Sequence, residues 1–248
     1  MAKIRHVAFM TKQPQKLLEF YQGVFDFEPC YESASGARMV IDGRFNLAFL
    51  PIRDGDAEVV GTHRADGGEV NQRLGINHFG FIIDNVEETI KRVGENLQHG
   101  ENPQDGRPAE MRITDPWGNN FDLSSRGFFG REEEKLPGVR QVVVQTDKPA
   151  EMADFYTSKL DLKEVRRADD GSVLLSDGGV NFTLIEEGFL PKQGIQYIGI
   201  QVEDLAETQR RLKDFGVDVS LPASADAEIR LKDPDGNLVM VSQRGWEV

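Results

Sequence analysis

The chain has 248 residues, enough for one large domain or two of ordinary size. Its composition, with 39% hydrophobic and 29% charged residues, is typical of a soluble globular protein, and no apolar run approaches the roughly 18 residues that a membrane-spanning helix needs. A formal net charge of −13 argues against a nucleic-acid partner, because binding to a phosphate backbone depends on many Lys and Arg contacts.

The amino-terminal segment and the cysteine content predict a cytoplasmic protein. Met1 to His6 leads straight into an apolar, strand-like segment, without the features of a secretory signal. Cys30 has no second cysteine with which to form an internal disulfide, which fits a reducing compartment. We therefore expect neither a membrane nor a nucleic-acid partner.

The first predicted elements are a strand and a helix. Ile4 to Met10 is rich in apolar and β-favouring residues. Pro14 suits the first turn of the helix that follows. The apolar residues of this helix recur at helical spacing: Leu17, Leu18, Tyr21 and Phe25. The polar, glycine-bearing segment 51–74 is too long for an ordinary connection, so it is either a lid or a disordered insert.

A second strand and helix follow this segment. Ile76 to Ile83 predicts the strand, and a helix begins shortly after it. Asp115 to Asn119, with the sequence DPWGN, predicts a tight turn between two further strands. Beyond them, Phe128 and Phe129 are expected to dock on a neighbouring surface.

The chain also repeats itself. Residues 4–25 align without a gap with residues 139–160, at an offset of 135. The match resumes at Gly75 with an offset of 119 and at Glu110 with an offset of 118, so the copies differ mainly in loop length. Each copy is itself doubled, which gives the order βαβββ four times. We predict a first module at 1–128, a linker at 129–137 and a second module at 138–248.

The second copy serves as a control for the first. Residues shared by both copies are expected to be structural, whereas polar residues confined to one copy are candidates for chemistry. Three polar residues of the first copy are replaced together in the second: His6 by Gln141, His78 by Tyr197, and Asp122 by Met240. Two imidazoles and one carboxylate form the ligand set that leaves several positions open on a non-haem Fe(II) or similar ion.

Strand periodicity predicts where two of these side chains point. Alternation places His6 on the face shared with Ile4, Ala8 and Met10. It places Asp122 on the face opposite Phe121 and Leu123. If those two apolar residues pack under the helices, Asp122 points to the concave side of the sheet.

A structural role is the alternative for each residue. A strand histidine often has only a hydrogen-bonding role, and Asp122 could cap a turn or pair with Arg112. The joint loss of all three residues in the second copy favours a metal site. Arg112 has a counterpart, Arg230, in the copy without ligands, which favours a structural role; contact with an anionic substrate is the other interpretation.

On these residues the chain resembles the vicinal oxygen chelate superfamily, which contains glyoxalase I, the bleomycin and fosfomycin resistance proteins, methylmalonyl-CoA epimerase and the extradiol dioxygenases. The resemblance rests on the fourfold βαβββ order, on the histidines in IRHVAF and INHFGF, and on DPWGNNFDL, which is similar to the family ending DP-x-GN-x-x-E-L. It implies an α+β fold of two tandem modules. Each module has two βαβββ units that form a curved mixed sheet, a half-barrel, with the helices outside.

The resemblance also implies a divalent metal held by His6, His78 and Asp122, with Asp122 standing where glutamate is usual. Members with four ligands carry another acid in the fourth strand, and aligning FNLAFL on that strand puts Ala48 there. Three ligands leave about three positions open on an octahedral ion, enough for two substrate oxygens and dioxygen. In related two-module enzymes the metal usually lies in the second module, so the order is reversed here.

The leading functional prediction is an Fe(II)-dependent, extradiol-like dioxygenase acting on a small substrate that chelates the metal through vicinal oxygens. Mn, Ni and Zn are the other candidate metals. His63, in the segment 51–74, loosely matches the acid/base histidine of extradiol enzymes. A monomer or a homodimer is expected.

Two other functions stay open at this point. One is a redox-neutral enzyme, either a glyoxalase-type isomerase or lyase or a fosfomycin-type thiol transferase, in which the metal is only a Lewis acid. The other is a small-molecule binding or resistance protein that sequesters its ligand between the copies. In each case the second copy is expected to be a scaffold that closes the cavity or mimics a dimer partner.

Overall fold

The computed structural model describes residues 1–52, 74–94, 108–190, 193–221, 224 and 228–246. For residues 62–63, 69–70 and 99–101 it describes the backbone alone. Within these parts of the chain, no helix is both long enough and apolar enough to cross a membrane.

The first half of the chain forms one mixed sheet and two helices. The elements are β1 (Lys3–Thr11), α1 (Pro14–Phe25), β2 (Glu28–Glu32), β3 (Arg38–Ile41), β4 (Asn46–Pro51), β5 (Thr62–His63), β6 (Glu69–Val70), β7 (Gly75–Ile82), α2 (Val86–Val93), β8 (His99–Glu101), β9 (Met111–Thr114) and β10 (Asn120–Ser124). The sheet has the order β2-β3-β4-β1-β7-β10-β9-β8, and β5 pairs with β6 separately. At its centre, β1 is antiparallel to β7, and each has a parallel neighbour on its other side.

The second half repeats this arrangement. Its elements are β11 (Gly138–Gln145), α3 (Pro149–Leu160), β12 (Lys163–Arg167), β13 (Val173–Ser176), β14 (Asn181–Ile185), β15 (Gly194–Gln201), α4 (Leu205–Asp214), β16 (Ile229–Lys232) and β17 (Leu238–Ser242). The sheet order is β12-β13-β14-β11-β15-β17-β16. The predicted α+β fold of two tandem modules is confirmed. One detail differs: among the described residues only two strands, not three, follow α4.

The main hydrophobic core lies between the two sheets. Phe79 of β7 packs 5.1 Å from Phe182 of β14 and 6.1 Å from Tyr156 of α3, measured between ring centroids. Helix α1 contacts α4, and α2 contacts α3. The faces that carry the helices therefore face each other, and the opposite face of each sheet is left for a pocket. Because the modules meet through their helices, the described residues of module 2 do not cover the opposite face of the first sheet; of the two expected roles for the second copy, closing that cavity is therefore not seen among the described residues.

Two β-bulges set the direction of the side chains near the centre of the first sheet. The pairing of β1 with β7 shifts by one residue at Arg5 and again at Asn77. An extra residue reverses the alternation of faces beyond it. Ile4 therefore lies in the main core, whereas His6 and Ala8 lie on the opposite face. The prediction that Ile4 and His6 share a face is wrong for this reason.

Reciprocal buried hydrogen bonds join the two modules. The Asp177 carboxylate accepts hydrogen bonds from the backbone N–H of Ile4, at 2.7 Å, and from the Arg5 guanidinium, at 2.6 Å. At the equivalent position of module 1, 135 residues earlier, Asp42 accepts the backbone N–H of Val139 at 2.7 Å. Asp177, Asp42 and the groups that donate hydrogen bonds to them together form the module clasp.

Two tyrosines make a second pair of such contacts. Tyr21 of α1 donates to Asp233 of module 2 at 3.2 Å, and Tyr156 of α3 donates to Asp115 of module 1 at 2.8 Å. Both aspartates belong to the DP-x-GN turns, which these hydroxyl groups tie to the helices of the other module. The repeat thus serves the interface as well as the individual modules.

Candidate metal centre

One row of residues runs across five adjacent strands of the first sheet. His6 of β1 is paired with Asn46 of β4 on one side and with Gly80 of β7 on the other. Gly80 is paired in turn with Asp122 of β10, which is paired with Arg112 of β9. Strand register alone therefore places His6, Asp122 and Arg112 in one row, with Gly80 between His6 and Asp122.

His78 completes the cluster from two residues along β7. His6, His78 and Asp122 each offer a ligand atom, and these atoms all lie within 4.8 Å of one another. His78 Nε2 is 3.3 Å from a carboxylate oxygen of Asp122. All three residues are buried, with 1–4% of their surface exposed. The structure thus brings together the three residues that the sequence comparison singled out.

Hydrogen bonds fix the orientation of both imidazoles. His6 Nδ1 lies 2.7 Å from Asn46 Oδ1, and the Asn46 amide nitrogen donates to the carbonyl oxygen of Val40. Because Oδ1 of Asn46 can only accept, His6 Nδ1 carries the proton and its Nε2 keeps a free lone pair. Metal-binding histidines have the same arrangement, with the outer nitrogen donating to an oxygen.

His78 follows the same pattern. Its Nδ1 lies 2.8 Å from Asn77 Oδ1, and its Nε2 lies 2.9 Å from a guanidinium nitrogen of Arg112. A guanidinium can only donate, so Nε2 of His78 is the acceptor and its lone pair points into the cluster. The bulge at Asn77 places this amide beside the ring that it orients.

The positive charge at the cluster is supplied by Arg112. Its Nε and one terminal nitrogen bond the two oxygens of Asp122, at 2.7 and 3.0 Å. The pairing of Asp122 with Arg112, which was the alternative to a metal site, is therefore present. Arg230, the counterpart in module 2, instead stacks 4.0 Å above the ring of Phe189. The two arginines share a strand position and differ in their contacts.

The donor set fits a divalent cation. It offers two neutral imidazole nitrogens and one carboxylate, whose ligand atoms lie within 4.8 Å of one another. The positively charged guanidinium of Arg112 already contacts two of these groups, His78 and Asp122. Burial lowers the pKa of His6 to about 3, so its ring is neutral at physiological pH. Burial alone would raise the pKa of Asp122, but the charge and hydrogen bonds of the Arg112 guanidinium help to hold that pKa far below its usual range.

The buried His6 predicts a loss of stability in acid for the metal-free protein. Its pKa is about 3 in the folded chain and about 6.5 in the unfolded chain. Between these values the unfolded state binds more protons, so the free energy of unfolding falls as the pH drops, by up to about 1.4 kcal/mol per pH unit. Urea unfolding in EDTA should therefore show a steeper acid dependence for the wild type than for His6→Gln. Parallel curves for the two proteins would contradict this cause.

An apolar wall surrounds the cluster. Phe128 is fully buried and stacks on His6, with ring centroids 4.7 Å apart and an 8° angle between the planes. A Cβ atom at Gly80 would lie 2.8 Å from the Phe128 ring, so only glycine permits this stacking. Phe129 stacks on Tyr31 at 5.3 Å. The prediction that both phenylalanines dock on a neighbouring surface is confirmed.

Ala48 lines the pocket beside the cluster and offers no ligand atom. Among the described residues, the cluster has three members of the metal-binding types and no fourth. The described lining of this pocket extends from His6 to Phe128 and comes entirely from module 1. The candidate metal centre therefore lies within module 1, and a ligand site in a groove between the two copies stays a prediction.

The backbone of His63 is described and its side chain is not. His63 lies in β5, where it pairs with Glu69 of β6. Its suggested acid/base role falls on a side chain outside the described residues, as does most of the segment 51–74 for which a lid or an insert was predicted. That role stays a prediction.

Comparison with known proteins decides the family. The model of the Glyoxalase/Bleomycin resistance protein/Dioxygenase superfamily matches residues 3–123 and 138–241, which is most of the chain. The chain belongs to this superfamily. No match was found among curated proteins.

Solved structures of superfamily proteins share the fold. The 2,3-dioxygenase LapB from Pseudomonas sp. KL28 is similar with a TM-score of 0.71 and 12% identity, over 98% of this chain and 92% of that one. A Mn(II)-bound glyoxalase from Novosphingobium aromaticivorans has a TM-score of 0.73 and 16% identity, over 97% and 82%. Homoprotocatechuate 2,3-dioxygenase from Brevibacterium fuscum has a TM-score of 0.70 and 9% identity, over 98% and 81%. At these identities the likeness shows the fold alone.

Sequence reasoning missed the residues that orient the candidate ligands, His6 and His78, of this superfamily member. Asn46 has a counterpart in module 2, Asn181, so the comparison of copies would have classed it as structural. Asn77 is replaced by Gln196 in the second copy and was overlooked because it neighbours His78. Asn77 could have been found from the sequence, because it is replaced in the second copy just as His6, His78 and Asp122 are.

Proposed function

We propose that the chain is a metal-dependent dioxygenase that acts on a small planar substrate with two adjacent oxygen atoms. The observation that carries this proposal is the group of three convergent candidate ligand atoms, with no fourth among the described residues, beside a largely apolar pocket. Such a set leaves room on one ion for both substrate oxygens and dioxygen. When bound, Fe(II) would hold substrate and dioxygen side by side and stabilise negative charge.

The residues of this chain would hold and orient the reactants. His6 and His78 present neutral nitrogens because Asn46 and Asn77 bind their outer N–H groups. Phe128 supplies an apolar surface beside His6 and keeps water from that side.

Arg112 would change partners on metal binding. Its guanidinium contacts His78 and Asp122 at the atoms that a metal would bind, so the two cations exclude each other there. The free volume beside the cluster is about 30 Å³ while Arg112 holds this position. The Arg112 side chain is 31% exposed even while it is bonded to Asp122. Once displaced it would lie at the rim, where it can contact an anionic group of the substrate.

Oxygen consumption tests this proposal. We expect the Fe(II)-loaded protein to consume one dioxygen per molecule of a cleaved catechol, measured with an oxygen electrode over a panel of substituted catechols. Asp122→Asn should lower the rate by at least about 100-fold, because it removes a negatively charged ligand. Tyr197→Phe, at the position in module 2 that matches His78, should leave the rate unchanged. Turnover of the substrate at the same rate under argon would reject the dioxygenase.

The second candidate is a redox-neutral enzyme of the glyoxalase type. The likeness to a Mn(II)-bound glyoxalase, at a TM-score of 0.73, favours it. In that case the metal would act only as a Lewis acid on a substrate oxygen. Activity that requires Mn(II) or Ni(II) and continues without dioxygen would support this function.

A further inference from the structure

Module 2 has its own pocket on the face that matches the metal centre. The row of residues there runs from Asn181 through Gln141, Gly199 and Met240 to Arg230. The free volume is about 470 Å³, within the range of about 300–1,000 Å³ of small-molecule sites. Loss of the ligand residues has therefore not filled the cavity.

An aromatic residue flanks this pocket as Phe128 flanks the first. The sequence SQRGW at 242–246 matches SSRGF at 124–128, so Trp246 corresponds to Phe128. A Cβ atom at Gly199 would lie 2.6 Å from the indole ring, so glycine is needed here as it is at position 80. The indole nitrogen donates to Glu228 at 2.6 Å, which fixes the ring in place. A flat aromatic surface thus forms one wall of the pocket.

At two positions the lining of the second pocket is cationic or polar, where the matching residues of the first pocket are aromatic or apolar. At an offset of 135, Arg166 stands in place of Tyr31 and Thr183 in place of Ala48. Arg244 lies on the same pocket, two residues before Trp246. The described side chains that line it include two arginines and no carboxylate, in a chain that carries 42 acidic and 29 basic residues. Two carboxylates lie nearby: Glu228 binds the indole, and Asp170 interacts with Arg166.

One buried acceptor points to the polarity of the occupant. Gln141 is 7% exposed, and its amide nitrogen donates to Thr183 at 3.0 Å. Its Oε1 is buried and has no hydrogen-bond partner within the described residues. A buried oxygen without a partner is costly, so a ligand with a hydroxyl group would relieve that cost.

We propose that the pocket of module 2 binds a small aromatic carboxylate that also carries a hydroxyl group. The carboxylate pairs with Arg166 and Arg244, since guanidinium groups bind carboxylates through paired hydrogen bonds. The ring lies against Trp246, and the hydroxyl donates to Gln141 Oε1. This site uses none of the metal-centre residues, so it does not depend on the function proposed for module 1.

Tryptophan fluorescence tests the proposal directly. The chain has two tryptophans, and Trp117 packs on Phe155 away from this pocket. Trp117→Phe therefore leaves Trp246 as the single reporter. The probe is 4-hydroxyphenylacetate, whose single hydroxyl cannot chelate a metal through vicinal oxygens. We expect a saturable change in emission at submillimolar to millimolar concentrations of probe, with titration extended to about 10 mM.

Matched probes and variants separate the contacts. Arg244→Gln and Arg166→Gln alter exposed side chains, and each should weaken binding at least about tenfold, as should replacing the carboxylate of the probe by an alcohol. Phenylacetate should bind more weakly than the hydroxylated probe, and Gln141→Leu should abolish that difference. His6→Gln should not alter binding. The absence of a saturable change, an affinity in both arginine variants equal to that of the parent protein, or loss of binding in His6→Gln would each overturn the proposal.

Discussion

His6→Gln is expected to remove metal binding from the chain. At the matching position of module 2, Gln141 lies on the equivalent strand β11 and pairs with Asn181, as His6 pairs with Asn46. The variant should therefore fold. It removes one of three ligand atoms that lie within 4.8 Å of one another. Loss of even an outer-shell partner weakens metal binding by about 10–100-fold, so loss of a ligand should exceed about 100-fold. Titration with Fe(II) or Mn(II) under anaerobic conditions, followed by elemental analysis, measures this effect.

Two controls make that result specific. Tyr197→Phe changes the module 2 counterpart of His78 and should keep about one metal per chain. The thermal unfolding of metal-free His6→Gln should remain cooperative, which excludes global misfolding. Equal metal content in His6→Gln and the wild type would show that His6 is not a ligand and that the cluster is a hydrogen-bonded one held by Arg112.

Asp177→Ala is expected to be the most destabilising single substitution in the module clasp. The Asp177 side chain has no exposed surface, and its partner Arg5 is 4% exposed. Removing the carboxylate leaves the Arg5 charge and the Ile4 N–H buried without this acceptor. Breaking a buried ion pair in this way costs about 3–5 kcal/mol of unfolding free energy. Equilibrium unfolding in urea, read by far-UV circular dichroism, measures the change.

A surface pair provides the matched comparison. Glu164→Ala removes the exposed partner of Arg167, and it should leave the unfolding midpoint unchanged because exposed ion pairs contribute little. Asp42 is the module 1 equivalent of Asp177 in the clasp. Asp42→Ala should destabilise the protein as well, since Asp42 also accepts buried N–H groups. If Asp177→Ala and Glu164→Ala had equal midpoints, the clasp would contribute nothing to stability.

The repeat allowed the fold, and the three residues that the structure brings together as candidate metal ligands, to be predicted from the sequence. The strand and helix patterns at Ile4–Met10 and Pro14–Phe25 recur at residues 139–145 and 149–160, and the structure has strands and helices at all four. Comparing the copies isolated His6, His78 and Asp122, because a shared scaffold predicts equivalent positions for residues that differ. That reasoning depends on local pattern and on offset, both of which are present in a single sequence.

The side of the sheet on which Ile4 lies could not be predicted in the same way. Alternation along β1 is broken at Arg5, and nothing in the sequence IRHVAF signals a bulge. At the bulge, the residues on either side of Arg5 pair with β7, and Arg5 itself bonds Asp177 of module 2. Both are contacts between residues distant along the chain, and a local pattern does not contain them.

The contacts of Arg112 were also beyond the sequence. Its counterpart Arg230 suggested a structural role shared by both modules, yet the two side chains bind different partners. Arg112 pairs with Asp122 because that carboxylate is in register with it, and Arg230 has Met240 at the same position. A residue can therefore be kept in both copies and still serve a site in only one.

X-ray diffraction at the absorption edge of a bound metal tests the central claim most directly. Crystals of the wild type grown anaerobically with Mn(II) or Fe(II) should give a single anomalous peak in module 1. We expect it at about 2.0–2.2 Å from His6 Nε2, His78 Nε2 and an oxygen of Asp122, with the Arg112 guanidinium turned away. Density that shows Arg112 still bonded to Asp122, with no peak among the three side chains, would contradict the account.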